Sequence, residues 1–118
     1  MPGKKGWSHG VRETHVLIPM WQEYLDAARE GYKERRRVLR LICERYHFQV
    51  PVETTFDQDV HAPLPLWTPE TQYNPYEGLT TPAERETRRA TMAMVNTRIE
   101  RWYAYRYSRL QRELANST

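Results

Sequence analysis

The 118 residues, 28% charged and 39% hydrophobic with a mean hydropathy of -0.88, leave room for one domain and little apolar mass for a core. Eighteen Lys and Arg against fifteen Asp and Glu give a net charge of +3 and a pI near 9.2, which suits an acidic partner without requiring one. A single cysteine, Cys43, excludes an internal disulfide and any zinc site built on two or four cysteines, and no run approaches the roughly 18 apolar residues of a membrane span.

The chain opens on "MPGKKGWSHGVR", which is basic, free of acids through Arg12 and without the apolar core of a secretory signal. Residues 1–18 therefore read as a basic N-terminal extension of the kind seen in organelle-directed proteins, with Lys4 and Lys5 as candidate nucleic-acid contacts. From Pro19 to His47 the spacing predicts one long amphipathic helix. Trp21, Leu25, Ala28, Tyr32, Leu39, Ile42 and Tyr46 recur at steps of three and four, interrupted only by Arg35. Pro19 suits the first turn, where its missing N–H costs nothing, and Pro51 ends the pattern. At 1.5 Å per residue such a rod is about 43 Å long. Beside the apolar stripe runs a basic one, Arg29, Lys33, Arg36 and Arg40.

Residues 48–81 form a segment with five acids and no Lys or Arg, between two segments that are each net basic. Its stretch "HAPLPLWTPETQYNPYEGLTT" has the periodicity of neither helix nor strand, yet carries Trp67, Tyr73 and Tyr76. Fixing such a chain costs about 1–2 kcal/mol per residue with no hydrogen-bond ladder to offset it. The expectation is an extended acidic, aromatic and proline-rich ribbon ordered by partners, with Trp67, Tyr73 and Tyr76 as anchors in pockets the partners supply. The alternative is that the aromatics fold back onto the helices as a small α domain.

A capping box, Thr81, Pro82, Ala83 and Glu84, starts the last helix, expected over residues 82–114 with a tail at 115–118. At about 100° per residue, Met92, Ile99, Tyr103, Leu110 and Leu114 share one side, while Arg98, Arg101, Tyr105, Arg109 and Arg112 lie roughly 140° away. Arginine forks at one-turn spacing suit phosphate oxygens, and an interleaved tyrosine can stack on a base. A solvated face laced with salt bridges is the other reading of these stripes.

No enzyme is legible. Cys43 and His47 are four residues apart, but Cys43 lies among Leu and Ile as a small hydrophobe, and two ligands do not make a metal site. The acids Glu53, Asp57 and Asp59 sit in the irregular segment, with nothing to hold two carboxylates at a working separation. No catalytic residue, cofactor, metal or small-molecule substrate is expected.

The fold class expected is thus mainly α: two long helices joined by an extended proline-rich irregular segment, without an independent globular core. "PLPLW", followed by a proline-containing turn and "AERETRRATMAMVNTRIERW", resembles the mitochondrion-specific large-subunit ribosomal protein 52 family over about Leu64 to Leu110. The resemblance implies a non-catalytic mitochondrial ribosomal subunit that contacts rRNA and neighbouring proteins, with Trp67, Glu84, Arg85, Glu86 and Arg89 as packing and rRNA-proximal residues. The helix at 19–47 has no counterpart in that family. The alternative class is a protein-only scaffold, such as an accessory subunit of a respiratory complex or ATP synthase, or a microtubule inner protein of cilia.

Overall fold

A computed structural model describes residues 7–51 and 58–117, and within them the chain is helical, without strands. Helix begins earlier than the spacing implies. Arg12–Leu17 is a π-helical segment, followed by a 3-10 turn at Ile18–Met20 that places Pro19 in its first turn. Val16 and Leu17 are fully buried, so this part of the expected extension belongs to the core. α1 (Trp21–Glu30) and α2 (Tyr32–Gln49) follow, and α3 covers Pro82–Asn116.

The single rod expected over residues 19–47 is broken at Gly31. Its φ of 127° and ψ of -175° lie where essentially only glycine is found. Its N–H donates to the Ala27 carbonyl at 3.2 Å and its own carbonyl accepts from the Arg35 amide at 3.1 Å, so one residue closes α1 and opens α2. The corner lets α1 pack on α2 and shifts the buried register. Tyr24 and Ala27, rather than Leu25 and Ala28, face inward on α1, and Tyr32 is 69% exposed.

Contrary to the expectation of no independent core, the described residues bury a contiguous apolar cluster. It draws Val16, Leu17 and Met20 from the N-terminal turns, Tyr24 from α1, Leu39, Ile42 and Tyr46 from α2, and Val95, Ile99 and Tyr103 from α3. Tyr103 is its hub. Its ring lies 5.0 Å from Tyr24, 4.7 Å from Trp102 and 6.2 Å from Trp21, centroid to centroid, and its hydroxyl donates to the Leu17 carbonyl. A surplus of aromatic area supplies what the low aliphatic content withholds.

Between α2 and α3 the described residues form turns but neither helix nor strand. The segment is fastened to the helices by side chains reaching its backbone. Gln49 Nε2 donates to the Pro65 carbonyl at 2.8 Å, Arg88 Nη1 to Pro75 at 2.6 Å, and Arg12 Nη1 to Gln58 at 2.9 Å. These bonds satisfy carbonyls that have no ladder of their own.

At α3 the Glu84 amide donates to Thr81 Oγ1 at 3.1 Å, and Pro82 occupies the first turn. The reciprocal bond differs from the usual box: the Thr81 hydroxyl itself donates to Glu84 Oε1 at 2.8 Å. With 35 residues this helix is about 52 Å long, yet its buried residues are only Val95, Ile99 and Tyr103. It therefore overhangs the core at both ends. The radius of gyration, 15.8 Å, exceeds the roughly 13.5 Å of a compact chain of this length, as that overhang requires.

Candidate functional site

Val95, Ile99 and Tyr103 seat α3 on the core, and the residues three positions after Ile99 and Tyr103 fall along the flank of that contact, about 60° round the helix. Trp102 and Arg106, one turn apart, lie beside the core contact and meet Trp21 of α1. The Arg106 guanidinium carbon sits 4.8 Å from the Trp102 ring centroid and 5.6 Å from that of Trp21. Two indoles therefore hold this arginine by cation–π attraction. Around it a groove of about 840 Å³ opens, bounded by Trp7, Arg98, Arg101, Tyr105 and Arg109, with Leu110 and Glu113 at the end towards the C-terminus.

Three of the four arginines expected on this stripe, Arg98, Arg101 and Arg109, thus line one groove, and Arg112 lies almost a turn beyond Arg109 on the exposed overhang. Arg109 Nε donates to Glu113 Oε1 at 3.2 Å, an exposed pair worth little in water. Among the described residues Arg101 and Arg112 meet no carboxylate. The sequence reading missed Arg106 and Trp7, and assigned Trp21 to the core. The i, i+4 pair Trp102 and Arg106 was the legible signal for this site; its partner Trp21 depends on the corner at Gly31.

The basic stripe expected on the first helix is not continuous. Gly31 divides it, leaving Arg29 on α1 with its nearest carboxylate, Asp26, at 3.9 Å, and Lys33, Arg36 and Arg40 on α2. Arg36 Nη1 bonds Glu100 Oε1 at 2.6 Å and so ties α2 to α3. Arg40 borders a second cavity, of about 440 Å³, with Cys43, His47, Tyr73 and Asn96. Lys4, Lys5, Glu53 and Asp57 lie outside the described residues, and Asp59 Oδ1 is 3.3 Å from His9 Nε2.

The expected partner anchors lie half-buried against their own chain. The Tyr73 hydroxyl donates to the Glu44 carbonyl at 3.3 Å and its ring meets Phe48 edge-on at 5.3 Å, and desolvation pushes its pKa up to about 12. Trp67 lies under Arg45, whose guanidinium carbon is 5.8 Å from the ring centroid, and the Tyr76 amide donates to Asn74 Oδ1 in a tight turn. This is the fold-back arrangement. Of the residues carried by the family resemblance, Glu84 serves the helix cap, Arg85 Nε donates to the Leu79 carbonyl, and Glu86 pairs with Arg89.

Cys43 and His47 are both buried, and their chemistry is quiet. Burial pushes the thiol up to about 12, which leaves it protonated at neutral pH. Desolvation holds His47 below the ordinary imidazole value despite its 2.6 Å bond to Asn96 Oδ1. Among the described residues no group of three or more His, Cys, Asp or Glu is placed to hold a metal ion, and no helix is long and apolar enough to cross a membrane.

The chain matches no protein-family model, no curated protein and no solved structure.

Proposed function

We propose that the protein is a non-catalytic structural subunit of a ribonucleoprotein, of the kind found in the large subunit of the mitochondrial ribosome, that touches rRNA through the arginine face of α3 and neighbouring proteins through its irregular segment. The observation that carries this reading is the groove in which Arg98, Arg101, Arg106 and Arg109 stand beside Trp102 and Tyr105, with Glu113 as the acid among its described lining residues. Arginine forks beside aromatic rings suit phosphates and unstacked bases together, whereas a face built for solubility alone has no use for the rings. The exposed overhang of α3, bearing Arg109 and Arg112, extends the same face beyond the core. The proline-rich segment between α2 and α3 is then an extended strap that faces neighbouring subunits, and Leu66, 86% exposed, is the residue it offers them.

A second reading, a protein-only scaffold of a respiratory complex, ATP synthase or ciliary microtubule, draws on the ion pairs of Arg109 with Glu113 and Arg36 with Glu100. The test is gradient sedimentation of the tagged protein from a mitochondrial lysate, with and without ribonuclease. Co-migration with a particle that ribonuclease dissolves is the result expected. Migration in a ribonuclease-resistant particle would transfer the assignment to the scaffold.

A further inference from the structure

We propose that the tryptophan-walled groove takes single-stranded RNA, with Arg106 as its fixed phosphate fork and Tyr105 as its base platform; the inference rests on the ribonucleoprotein reading and specifies its contact. A free arginine on a helix samples many rotamers, and ordering it on binding costs part of what the contact supplies. Arg106 is already held, with its guanidinium carbon 4.8 Å from the Trp102 centroid and 5.6 Å from Trp21. Stacking uses the face of a guanidinium and leaves the N–H groups at its edge to donate, and that fork matches two oxygens of one phosphate.

The neighbours extend the match. Arg101 and Arg109 border the same groove, five residues before and three after Arg106, so positive charge runs along it for about two turns. A run of phosphates fits that spacing better than one small anion does. Tyr105 lies between them, 65% exposed, with its ring free to carry a base. Single strands present bases for stacking, whereas an A-form duplex hides them and offers a surface too broad for a groove of about 840 Å³. An acidic peptide such as polyglutamate would satisfy the arginines but, without aromatic residues, offers no flat π face to Tyr105.

Fluorescence anisotropy of the purified full chain with a labelled single-stranded RNA of about 12 nucleotides tests this across a salt series. Each phosphate neutralised on a single strand contributes a slope of about -0.7 in log K against log salt, so three arginines give about -2. Arg106→Gln should weaken binding and reduce the slope by about 0.7. Tyr105→Ala should weaken binding about tenfold with the slope unaltered, because stacking releases no counterions. Arg37→Gln, which removes the same charge from α2 outside the groove, should leave both quantities near wild type. Circular dichroism melts verify that each variant folds; Tyr105→Ala, at an exposed position, keeps the test decisive if Arg106→Gln does not.

Wild-type affinity in folded Tyr105→Ala would overturn the inference, as would competition by polyglutamate or duplex RNA equal to that of the single strand. A ribonuclease-sensitive particle together with groove variants that bind RNA normally would remove the groove alone and leave the ribonucleoprotein reading. A ribonuclease-resistant particle together with no measurable RNA binding would remove both.

Discussion

The corner at Gly31 decides whether this chain is a bent, self-packed domain or a straight rod, and Gly31→Ala tests it. At φ 127° and ψ -175° a side chain is strained, by about 1–3 kcal/mol for a residue held in such a region. No atom lies within 4 Å of the added Cβ, so the penalty is a backbone one and repacking cannot relieve it. Against it stands the loss of unfolded-state freedom, which favours alanine by about 0.4–1 kcal/mol. The net expectation is destabilisation by about 1–2 kcal/mol, or a Tm lower by roughly 4–8 °C for a domain of this size. The escape route is a continuous helix from Trp21 to Gln49, which alanine favours by about 1 kcal/mol over glycine. Straightening, however, would pull the fully packed Tyr24 away from Tyr103, and exposing one large side chain already costs about 1.5–3 kcal/mol. The bend should persist under strain. Thermal and urea unfolding followed by circular dichroism, with small-angle scattering for shape, measures both outcomes. A Gly31→Ala chain as stable as wild type, or one whose radius of gyration rises well above 15.8 Å while it remains folded, would refute the assignment of the corner to glycine and core together.

Tyr103→Phe keeps the ring in the aromatic hub and removes only the hydroxyl that donates to the Leu17 carbonyl; a loss of about 1–3 kcal/mol in urea unfolding is expected, because that buried carbonyl is left without this partner. Cys43, with its thiol pushed up to about 12 by burial, should react with a thiol reagent at pH 8 far more slowly than a free thiol, and at the full free-thiol rate in denaturant. Prompt reaction of the native chain would place Cys43 at an accessible surface. Burial holds His47 below the ordinary 6.5, so the unfolded chain takes up its proton at higher pH than the folded one. Its contribution is full above about pH 6.5 and declines as pH falls from there towards the folded value, by at most about 1.4 kcal/mol per pH unit. His47→Gln should flatten that part of the pH–stability curve, and an unaltered slope would show that another group carries it.

The parts of the fold legible in the sequence are those governed by local chemistry. Thr81, Pro82 and Glu84 mark the start of α3 because a cap is a short-range structure, and the i, i+3, i+4 repeat places Ile99 and Tyr103 on its inner face. The first half of the chain resisted the same method for a physical reason. Apolar residues at positions 21, 25, 28 and 32 fit a straight stripe, but Gly31 ends the helix one residue before Tyr32, and burial on α1 passes to Tyr24 and Ala27. A glycine inside a helical pattern signals a possible break; how sharply the chain turns there follows from tertiary contacts that the pattern does not contain. The groove was half legible. Arg98, Arg101, Tyr105 and Arg109 follow from periodicity on one helix, whereas the pairing of Trp102 and Arg106 with Trp21 joins residues some 80 positions apart and exists only because of the corner.

These differences redistribute the weight of the functional argument. From the sequence, the irregular segment is expected to need partners because it has no hydrogen-bond ladder to offset the entropy of ordering it, with fold-back of its aromatics as the alternative; Tyr73 rests on Glu44 and Phe48, and Gln49, Arg88 and Arg12 donate to its carbonyls. Order in that segment therefore no longer argues for an assembly. The overhang of α3 does. Beyond Leu110 the helix has no buried residue, and an isolated end of that length gains little from propensity and single ion pairs. The arginine it carries, Arg112, continues the groove's cationic face one turn beyond Arg109. An anionic polymer laid along that face would supply the contacts that the core does not, which is why the terminal turns of α3 should gain amide protection on binding single-stranded RNA. Hydrogen exchange with and without the RNA tests this directly: protection confined to the groove, with the turns after Leu110 exchanging as before, would detach the overhang from the binding surface.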